Sequence, residues 1–534
     1  MAATASTLQS VTLVGKQDQG ASRPAISAVD AARFLAQASM GANREEMAKV
    51  QDLGYAGWID AQLALPQTTS RWDWLLGQGY AAADNRNSEA GFDAASWCKL
   101  LSSPDTLRQR VALALSEILV VGIDGLNGGW RAFAAAHYQD ILENNAFANY
   151  LKLIEEVTLS PAMAEWLTYR GNAKANANAA SGALPDENYA REIMQLFTIG
   201  LVQLNGDATP RLVNGLPQPT YGQDDVMGLA RVWTGWDWDF AGANAAIPDF
   251  QGRPLRQVAS RCELGEKRFL GSVIPAGSDG RTSMGLALYT LVFHPNTAPF
   301  IGRQLIQRLV TSNPSPAYVA RVAAAFADDG RGVRGNLQAV IRAILLDPEA
   351  RAPVGANGPS FGKLREPMLR FCNWARAYGA TSASGAWAVG STADPGTRLG
   401  QSPLRSPTVF NFFRPGYLPP NTATGQAGLC APEFQITNAS SVVGYLNFMQ
   451  RVVSTGIGDV LGDYAGLLPL AGDAGALLGE INLVLAAGQI GSANLAAMAA
   501  AVDAMPSRTA TALNNRIYAA LLLALASPEF IVLK

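Results

Sequence analysis

Four polar residues at helical spacing stand out in this sequence: Asn188, Arg191, Glu192 and Gln195. Residues three or four positions apart lie on one face of an α-helix, so this face carries two amides, a carboxylate and a guanidinium. A carboxylate beside a guanidinium can act as a general acid or base, because the positive charge changes its pKa. The same face can equally be a buried network that holds helices together.

A second carboxylate, Asp225, follows Asp224 in the segment after this helix. We interpret Glu192 and Asp225 as the candidate acid and base of a catalytic pair, with Arg191 setting their pKa values. Two carboxylates can also bind Ca²⁺ or Mg²⁺ through their oxygen atoms. The structural alternative is that Asp224 or Asp225 caps the helix that begins there.

Tryptophans alternate with aspartates shortly after this second carboxylate. Trp236 and Trp238 are each followed by an aspartate. Indole rings beside carboxylates are common in carbohydrate sites, because the flat face of a sugar packs on the ring. Trp236, Trp238, Asn188 and Gln195 are therefore the candidate substrate-binding residues. The alternative is that the tryptophans fill the core or cover a sheet.

Isolated charged residues lie at or near predicted helix ends in the second half of the chain. Such residues usually form salt bridges with neighbouring helices, but they can also bind a carboxylate or a phosphate. His294, which precedes one of these helices, is either a capping residue or a catalytic base. The charged residues are Arg303, Arg308, Lys363, Arg365, Glu366, Arg405 and Arg414.

Histidines and cysteines are scarce. The two histidines, His137 and His294, are too few for a zinc, copper or iron site that needs two or three imidazoles. The four cysteines form no CxxC pair; they are either joined in one or two disulfides or act as small buried hydrophobes. We therefore predict no resident cofactor and no metal site beyond Ca²⁺ or Mg²⁺ held by carboxylates. The cysteines are Cys98, Cys262, Cys372 and Cys430.

The bulk composition excludes several classes of protein. The chain has 41 basic and 43 acidic residues, a net charge of −2 and no long basic run, so we expect no nucleic-acid partner. No apolar run reaches the ~18 residues of a membrane span, so we expect a protein that is not integral to a membrane. Apolar residues make up 49% and charged residues 16%, which is typical of an ordered globular chain.

Helical periodicity dominates and predicts a mainly α fold. Asp186, after Pro185, is expected to cap the polar helix, and Asp225 lies in the helix that follows. Runs of Val and Ile between helices, which typify parallel sheets, are absent. The alternating residues of 236–280 predict a small β or irregular insertion, with a hairpin near 261–274.

Three parts are expected along the chain. Residues 1–27 read as a flexible leader, and residues 28–431 form one large multi-helix domain that includes the insertion. Residues 432–534 form a C-terminal subdomain of four or more helices packed on it. An Asn-, Ala- and Gly-rich loop over 170–184 leads directly into the polar helix, and loops of this length are often functional.

Several segments resemble motifs of the bacterial DUF1800 family, a family of unknown function. The resemblance covers about residues 28–450, and it implies the fold and the context better than an activity. Family members usually carry export signals, which implies a periplasmic or extracellular protein, and their genes often lie beside those of sulfatase-like DUF1501 proteins. The segments are DENYAREIMQLFTIG, YGQDDVMGLARVWTGW, HPNTAPFIGRQLIQRLV, GNLQAVIRAILLDPEAR, FGKLREPMLR and LGQSPLRSPTVFNFFRPGY.

The chain departs from the family pattern at two places. Many members have ELHTLG where this chain has QLFTIG, from Gln195 to Gly200. Many also have a His-Asp pair where this chain has Cys262 and Glu263. If those histidines serve a metal or a proton transfer in relatives, this chain has lost or replaced that role.

Together these features predict an exported hydrolase that uses carboxylates and acts on a polysaccharide or another polymer. Glu192 and Asp225 are the expected acid and base, and Arg191 is the residue that adjusts their pKa values. The alternative is a helical binding or assembly partner of an exported DUF1501 protein, without activity of its own. A third hypothesis is a domain that Ca²⁺ stabilises.

Overall fold

The computed structural model describes residues 25–175, 184–242 and 244–534. Most of the expected leader, and residues 176–183 of the Asn-rich loop, lie outside these ranges. Within them the chain forms 22 α-helices, which confirms the mainly α fold. The first eleven are α1 (Ala28–Ala38), α2 (Arg44–Ala64), α3 (Arg71–Gly77), α4 (Phe92–Ser102), α5 (Thr106–Ser116), α6 (Arg131–Asn144), α7 (Tyr150–Thr158), α8 (Pro161–Trp166), α9 (Asn188–Gln195), α10 (Gln223–Ala230) and α11 (Gly280–Phe293).

Eleven more helices complete the described chain, and those after residue 432 match the predicted C-terminal group. No described helix is both long enough and apolar enough to cross a membrane. The helices are α12 (Thr297–Leu309), α13 (Pro316–Ala327), α14 (Leu337–Leu346), α15 (Pro348–Arg351), α16 (Pro367–Ala377), α17 (Ala423–Gln426), α18 (Ala439–Thr455), α19 (Ala474–Ala486), α20 (Ser492–Asp503), α21 (Ala510–Ala526) and α22 (Pro528–Ile531).

Ten short strands pair into five antiparallel two-stranded sheets in the described ranges: β1 with β2, β3 with β4, β5 with β6, β7 with β10, and β8 with β9. The second and third pairs lie in the predicted insertion, and β5 and β6 form the predicted hairpin. The strands are β1 (Leu212–Val213), β2 (Leu216–Pro217), β3 (Trp236–Asp237), β4 (Arg256–Gln257), β5 (Lys267–Phe269), β6 (Ser272–Ile274), β7 (Lys363–Leu364), β8 (Thr381–Ser382), β9 (Val460–Leu461) and β10 (Val532–Leu533).

Helix starts follow the capping rules that the sequence displays. Ser27, Asn43 and Ser70 each accept a hydrogen bond from a first-turn amide of the helix that follows. Gly54, at a φ of 73°, breaks α2 into two segments. The periodicity predicts two separate helices there, and the positive φ explains why they are distinct, since glycine adopts this conformation without steric cost.

Two hydrophobic cores form inside the described residues. The first gathers buried side chains almost entirely from Ala31 to Ala350. The second gathers side chains mainly from Met368 to Phe530, and α4 contributes Trp97 to it. The cores therefore divide between residues 350 and 368, whereas the division at 431 and 432 stays a prediction.

Helix α10 lies against the β5–β6 hairpin at a distance that only glycine permits. A Cβ atom on Gly228 would lie 1.8 Å from the carbonyl oxygen of Arg268, which is far inside van der Waals contact. The backbones of the helix and the hairpin therefore touch directly. This contact fixes the position of Asp225, which lies one turn earlier in the same helix.

Candidate functional site

The predicted polar helix is α9, and it begins at Asn188. Its N-cap position is Glu187, which makes no capping hydrogen bond, so Asp186 is not the N-cap that the sequence predicts. Asp186 still accepts a hydrogen bond from the backbone amide of Asn188 at 2.7 Å. The side-chain amide of Asn188 donates to Thr168, which places this candidate residue in a local network.

Arg191 bonds to residues other than Glu192. Its guanidinium lies 3.2 Å from the carboxylate of Glu187 and donates to Gln223 at 3.3 Å. Burial raises the pKa of Glu192, and the charge of Arg191 opposes the rise. Glu192 is buried, and its Oε2 atom has no hydrogen-bond partner among the described residues.

Asp225 is held by backbone amides at both carboxylate oxygens. It accepts from Gly222 at 2.8 Å, which caps α10, and from Leu270 at 2.6 Å, which ties the hairpin to the helix. The N-cap of α10 is Gly222, so neither Asp224 nor Asp225 is the N-cap of the sequence-based alternative, and Asp225 instead caps from the third helical position. A catalytic pair of Glu192 and Asp225 stays a prediction, and the geometry favours a structural role for Asp225.

The two candidate tryptophans are buried. Trp236 is 2% exposed and Trp238 is 8% exposed. The guanidinium of Arg170 lies 3.8 Å from the Trp238 ring, and Phe250 packs against the same ring at 4.9 Å. Neither indole offers an open face to a sugar, so the geometry gives both a packing role, and their use in substrate binding stays a prediction.

Gln195 lines a mainly apolar cavity of about 380 Å³, which we call the main cavity. Helix α12 forms one side of it, and apolar residues of 196–208 and 409–416 form the others. The lining residues are Glu117, Ile118, Gln195, Leu196, Gly200, Leu201, Val202, Leu204, Ala208, Phe300, Arg303, Gln304, Gln307, Arg308, Val409, Phe410, Arg414, Pro415 and Gly416.

A buried cluster of opposite charges adjoins the main cavity, and we call it the charge centre. Its members come from α5, α12, the β7–α16 segment and a 3₁₀ turn at Pro432–Ile436. Each is less than 5% exposed, which is exceptional for charged side chains. The members are Arg110, Glu117, Arg308, Lys363, Glu366 and Glu433.

Hydrogen bonds and ion pairs join these members. Arg308 donates to the backbone carbonyl of Glu117 at 2.8 Å, and its Nε lies 3.4 Å from the Glu117 carboxyl. Lys363 donates to the carbonyl of Arg308 at 2.7 Å and lies 2.9 Å from the carboxylate of Glu433. Arg110 also donates to the carbonyl of Arg308. Four segments distant in sequence thus converge on one point.

Glu117 and Glu366 form a carboxyl pair within the charge centre. Burial, followed by the charge of Glu366 and a hydrogen bond with it, raises the pKa of Glu117 well above its ordinary value. For Glu366 burial acts in the same direction, but the hydrogen bond from Glu117 and the charge of Lys363 prevail and lower the pKa. The two carboxyl groups are coupled, so they titrate as a pair, and their surroundings move the two pKa values in opposite directions.

Several polar atoms around this pair have no hydrogen-bond partner among the described residues. They include Nη1 of Arg110, Nε2 of Gln304 and Oε2 of Glu433. Buried polar atoms are normally bonded, because an unpaired group loses its hydration without compensation. Such a concentration beside a cavity marks a place where water or a ligand completes the bonding.

A second buried network, in the first core, shows the contrast. Glu143 pairs with Arg71 and Lys99 at 2.6 Å each, and both oxygens of Asp140 accept hydrogen bonds. Every carboxylate oxygen of these two acids is therefore bonded. Among the described residues only Nε of Arg71 lacks a partner in the Arg71–Asp140–Glu143 contacts, whereas several carboxyl and guanidinium atoms of the charge centre lack one.

Glu117 also lines a second, much smaller cavity of about 30 Å³, room for about one water molecule. Ser116, Ser406 and Asn411 are among the polar residues that line it. Glu117 therefore lies between the two cavities. A carboxyl group in this position can exchange a proton with a molecule on either side.

The described residues contain no group of three or more His, Cys, Asp or Glu side chains that could hold a metal ion. Burial lowers the pKa of His137 to about 4, so this residue is neutral at pH 7. His294 is half-buried, and burial lowers its pKa as well. All four cysteines have free thiols, and Cys262 and Cys372 are buried.

In the sequence, Arg303, Arg308 and Glu366 are recognisable only as charges at helix ends. Glu117 and Arg110 are not predicted as site residues at all. A signal for the missed residues was present, because both interrupt the apolar run of α5 and the segment after it. A charge that must be buried needs a partner. That partner lies more than a hundred residues away, so sequence periodicity does not identify it.

Comparisons with known proteins place the chain in a family. A sequence model described as a protein of unknown function, DUF1800, matches residues 33–532, nearly the whole chain. No curated protein and no solved structure matches it. The match confirms the resemblance of the quoted segments, and the chain belongs to the DUF1800 family.

Proposed function

We propose that this protein is an exported hydrolase that uses the Glu117–Glu366 carboxyl pair as its acid and base. The observation that carries the proposal is a buried pair of glutamates whose pKa values are moved in opposite directions, with Glu117 at the wall of a cavity. Paired carboxyls whose pKa values separate are a recurrent arrangement for acid–base catalysis. Export is supported by the resemblance to a family whose members usually carry export signals.

The pair can complete a hydrolysis cycle without a net change. As water adds to an ester or amide carbonyl, the pair accepts a proton from the water. Glu117, which faces the cavity, delivers its own proton to the leaving oxygen or nitrogen. The acyl group gains hydroxyl, the leaving group gains hydrogen, and the pair again holds one proton and one charge.

Arg308 is placed to stabilise the charge that develops during this step. Its side chain lines the main cavity, lies next to Glu117 and is 4% exposed. A positive charge in a site that excludes water stabilises an oxyanion more strongly than the same charge in solution. Arg308 therefore supports the transition state, and Glu366 positions and tunes Glu117.

The wall of the main cavity narrows the range of substrates that fit the proposed site. A polysaccharide carries many hydroxyl groups that need polar partners, whereas this wall is largely apolar. The geometry therefore favours a substrate with hydrocarbon next to the cleaved bond. A polysaccharide or other polymer remains the broader expectation from the sequence.

The test measures hydrolysis of p-nitrophenyl butyrate by wild type, Glu117→Gln, Glu192→Gln and Asp225→Asn. We expect Glu117→Gln to lower kcat at least about 100-fold, because glutamine cannot donate a carboxyl proton. Glu192→Gln and Asp225→Asn should keep the wild-type kcat. Loss of activity in those two variants alone would place the site at Glu192. A wild type that cleaves neither this ester nor p-nitrophenyl glucoside would overturn the hydrolase proposal.

An exposed apolar hairpin favours the second candidate, a helical assembly partner of an exported DUF1501 protein. Leu212, Val213 and Leu216 on β1 and β2 are 59%, 54% and 68% exposed. Exposed apolar groups in a contiguous patch often mark an interface. Co-purification with a co-expressed DUF1501 protein should be lost in the double variant Leu212→Ser, Leu216→Ser. Unchanged co-purification, or none in wild type, argues against this candidate.

A further inference from the structure

We infer that the main cavity binds a single-chain anionic amphiphile, whose acidic head lies at Arg303 and Arg414 and whose hydrocarbon chain lies along the apolar wall. The inference deepens the proposed function and rests on it for the role of the ligand as substrate. The head group is a carboxylate or a phosphate, because guanidinium groups bind both.

Two cations of the cavity lack an acidic partner. Arg303 and Arg414 line the cavity, and neither guanidinium makes a salt bridge or a side-chain hydrogen bond within the described ranges. Most other arginines near buried acids are paired, as Arg405 is with Asp93 at 2.8 Å. Two unpaired guanidinium groups on one cavity wall favour an anionic ligand.

A single carboxyl group lines the cavity, against three guanidinium groups. It belongs to Glu117, and burial and the neighbouring Glu366 raise its pKa, which favours its neutral form. Arg308 adds a third positive charge to the lining. The electrostatic potential of the cavity is therefore positive.

Helix α12 supplies an unsatisfied donor on the same side. Gln304 is 7% exposed, and its Nε2 atom has no hydrogen-bond partner in the described part of the chain. Helical spacing places Gln304 beside Arg308 on one face of α12, and both residues line the cavity together with Arg303. A carboxylate or phosphate oxygen at this face would accept from both the amide and a guanidinium.

The remaining wall of the cavity is hydrocarbon. Its apolar residues come from the segment after α9, from the start of α12 and from the 409–410 segment, and they enclose a volume that falls within the range of small-molecule sites. A cavity of about 380 Å³ that holds a head group and one hydrocarbon chain leaves too little room for a second hydrocarbon chain. The apolar residues are Leu196, Leu201, Val202, Leu204, Phe300, Val409 and Phe410.

The mouth of the cavity offers a route for an apolar chain. Leu201 belongs to the lining and is also 56% exposed. The bridges from Val202 to Pro219 and from Leu204 to Pro210 connect this wall to the exposed β1–β2 hairpin. A hydrocarbon chain can therefore keep apolar contact from the surface to the interior.

The experiment is calorimetric titration of wild type with octanoate, decanoate and laurate, and with dodecyl phosphate and dodecanol. We expect each added methylene to tighten binding about three- to fourfold, because it leaves water for an apolar wall. Dodecanol should bind at least about tenfold more weakly than the anions, since it lacks the charge that the guanidinium groups recognise. The tighter of laurate and dodecyl phosphate identifies the head group.

Charge-removing variants complete the test. Arg303→Gln and Arg414→Gln should each weaken laurate at least about tenfold and leave dodecanol unchanged. Arg281→Gln is the matched control, because Arg281 is exposed on α11, away from the cavity lining. Arg414 is exposed, so its variant should fold even if Arg303→Gln does not. Equal affinity for laurate and dodecanol, or no dependence on chain length, would overturn the inference.

The binding and hydrolysis experiments test the amphiphile inference and the hydrolase proposal independently. If laurate binds as expected but wild type cleaves no ester, the hydrolase proposal falls and the amphiphile site stands. If the butyrate ester is cleaved but laurate does not bind, the amphiphile inference falls and the hydrolase proposal stands.

Discussion

Glu117 shows what a single buried acid can do at the end of a helix. It follows the last residue of α5, and burial together with Glu366 makes its ionised form unfavourable. In the proposed mechanism the proton of Glu117 is the one donated to the leaving group. Burial favours this protonated form relative to a glutamate in water, so the proposed role of Glu117 depends on the packing around α5.

The raised pKa predicts how stability depends on pH. Between the unfolded and the folded pKa of Glu117, the folded state binds more protons than the unfolded state, so stability falls as pH rises. The slope from this group is at most about 1.4 kcal/mol per pH unit. Glu117→Gln should therefore gain stability relative to wild type from pH 5 to pH 8. Urea unfolding at both pH values measures the difference.

The control for this prediction is Asp225→Asn, which removes a carboxylate that two backbone amides hold at the surface of α10. Its stability relative to wild type should not rise between the two pH values. If Glu117→Gln and wild type show the same pH dependence, Glu117 is ionised in the folded protein.

At the scale of elements, α10 and the β5–β6 hairpin form one rigid contact that Gly228 permits. The helix carries Asp225, and the hairpin supplies the amide of Leu270 that this carboxylate binds. The geometry of the pair therefore depends on the absence of one side chain. A larger residue at this position would have to push the hairpin away from the helix.

Two glycine variants test this contact. Gly228→Ala should lower the free energy of unfolding by about 1–3 kcal/mol, because the added Cβ overlaps the carbonyl of Arg268. Gly285→Ala, in the interior of α11 with nothing near its Cβ, should raise the free energy of unfolding by about 0.5–1 kcal/mol. Chemical denaturation of the two variants is the measurement. The same sign for both would contradict the close contact.

The helices, strands and strand pairs could be predicted from the sequence to different degrees. Helices and the β5–β6 hairpin follow from local patterns, because their partners lie within a few residues. The β7–β10 and β8–β9 pairs join segments far apart along the chain, and each strand has only two residues. Glu117 and Glu366 likewise meet only through tertiary packing, so the sequence presents them as separate charges.

For the whole molecule, the charge centre lies where the two hydrophobic cores adjoin. Arg110 and Arg308 come from helices of the first core, and Glu366 precedes α16 of the second. Lys363 and Glu433 complete the junction. The cores are therefore joined by buried ion pairs as well as by apolar contacts.

Removing one partner of this junction should destabilise the protein strongly. Lys363→Met leaves Glu433 buried without its cation, and we expect a loss of about 3–5 kcal/mol in the free energy of unfolding. The double variant Lys363→Met, Glu433→Leu should recover much of this loss, because no unpaired charge remains. Urea unfolding of the three proteins gives both values. A double variant less stable than the single one would contradict the pairing.

The β7–β10 pair has a consequence for the order in which the protein is made. Strand β7 carries Lys363, and the amide of Arg365 donates to the carbonyl of Ile531 next to β10. A ribosome produces the first of these segments long before the second. Strand β7, which carries Lys363, therefore has no pairing strand until residues 531–533 have emerged from the ribosome. Nascent chains can bury most of the first core before then, but the segment that carries Lys363 gains its β10 neighbour only after about 170 further residues have been made.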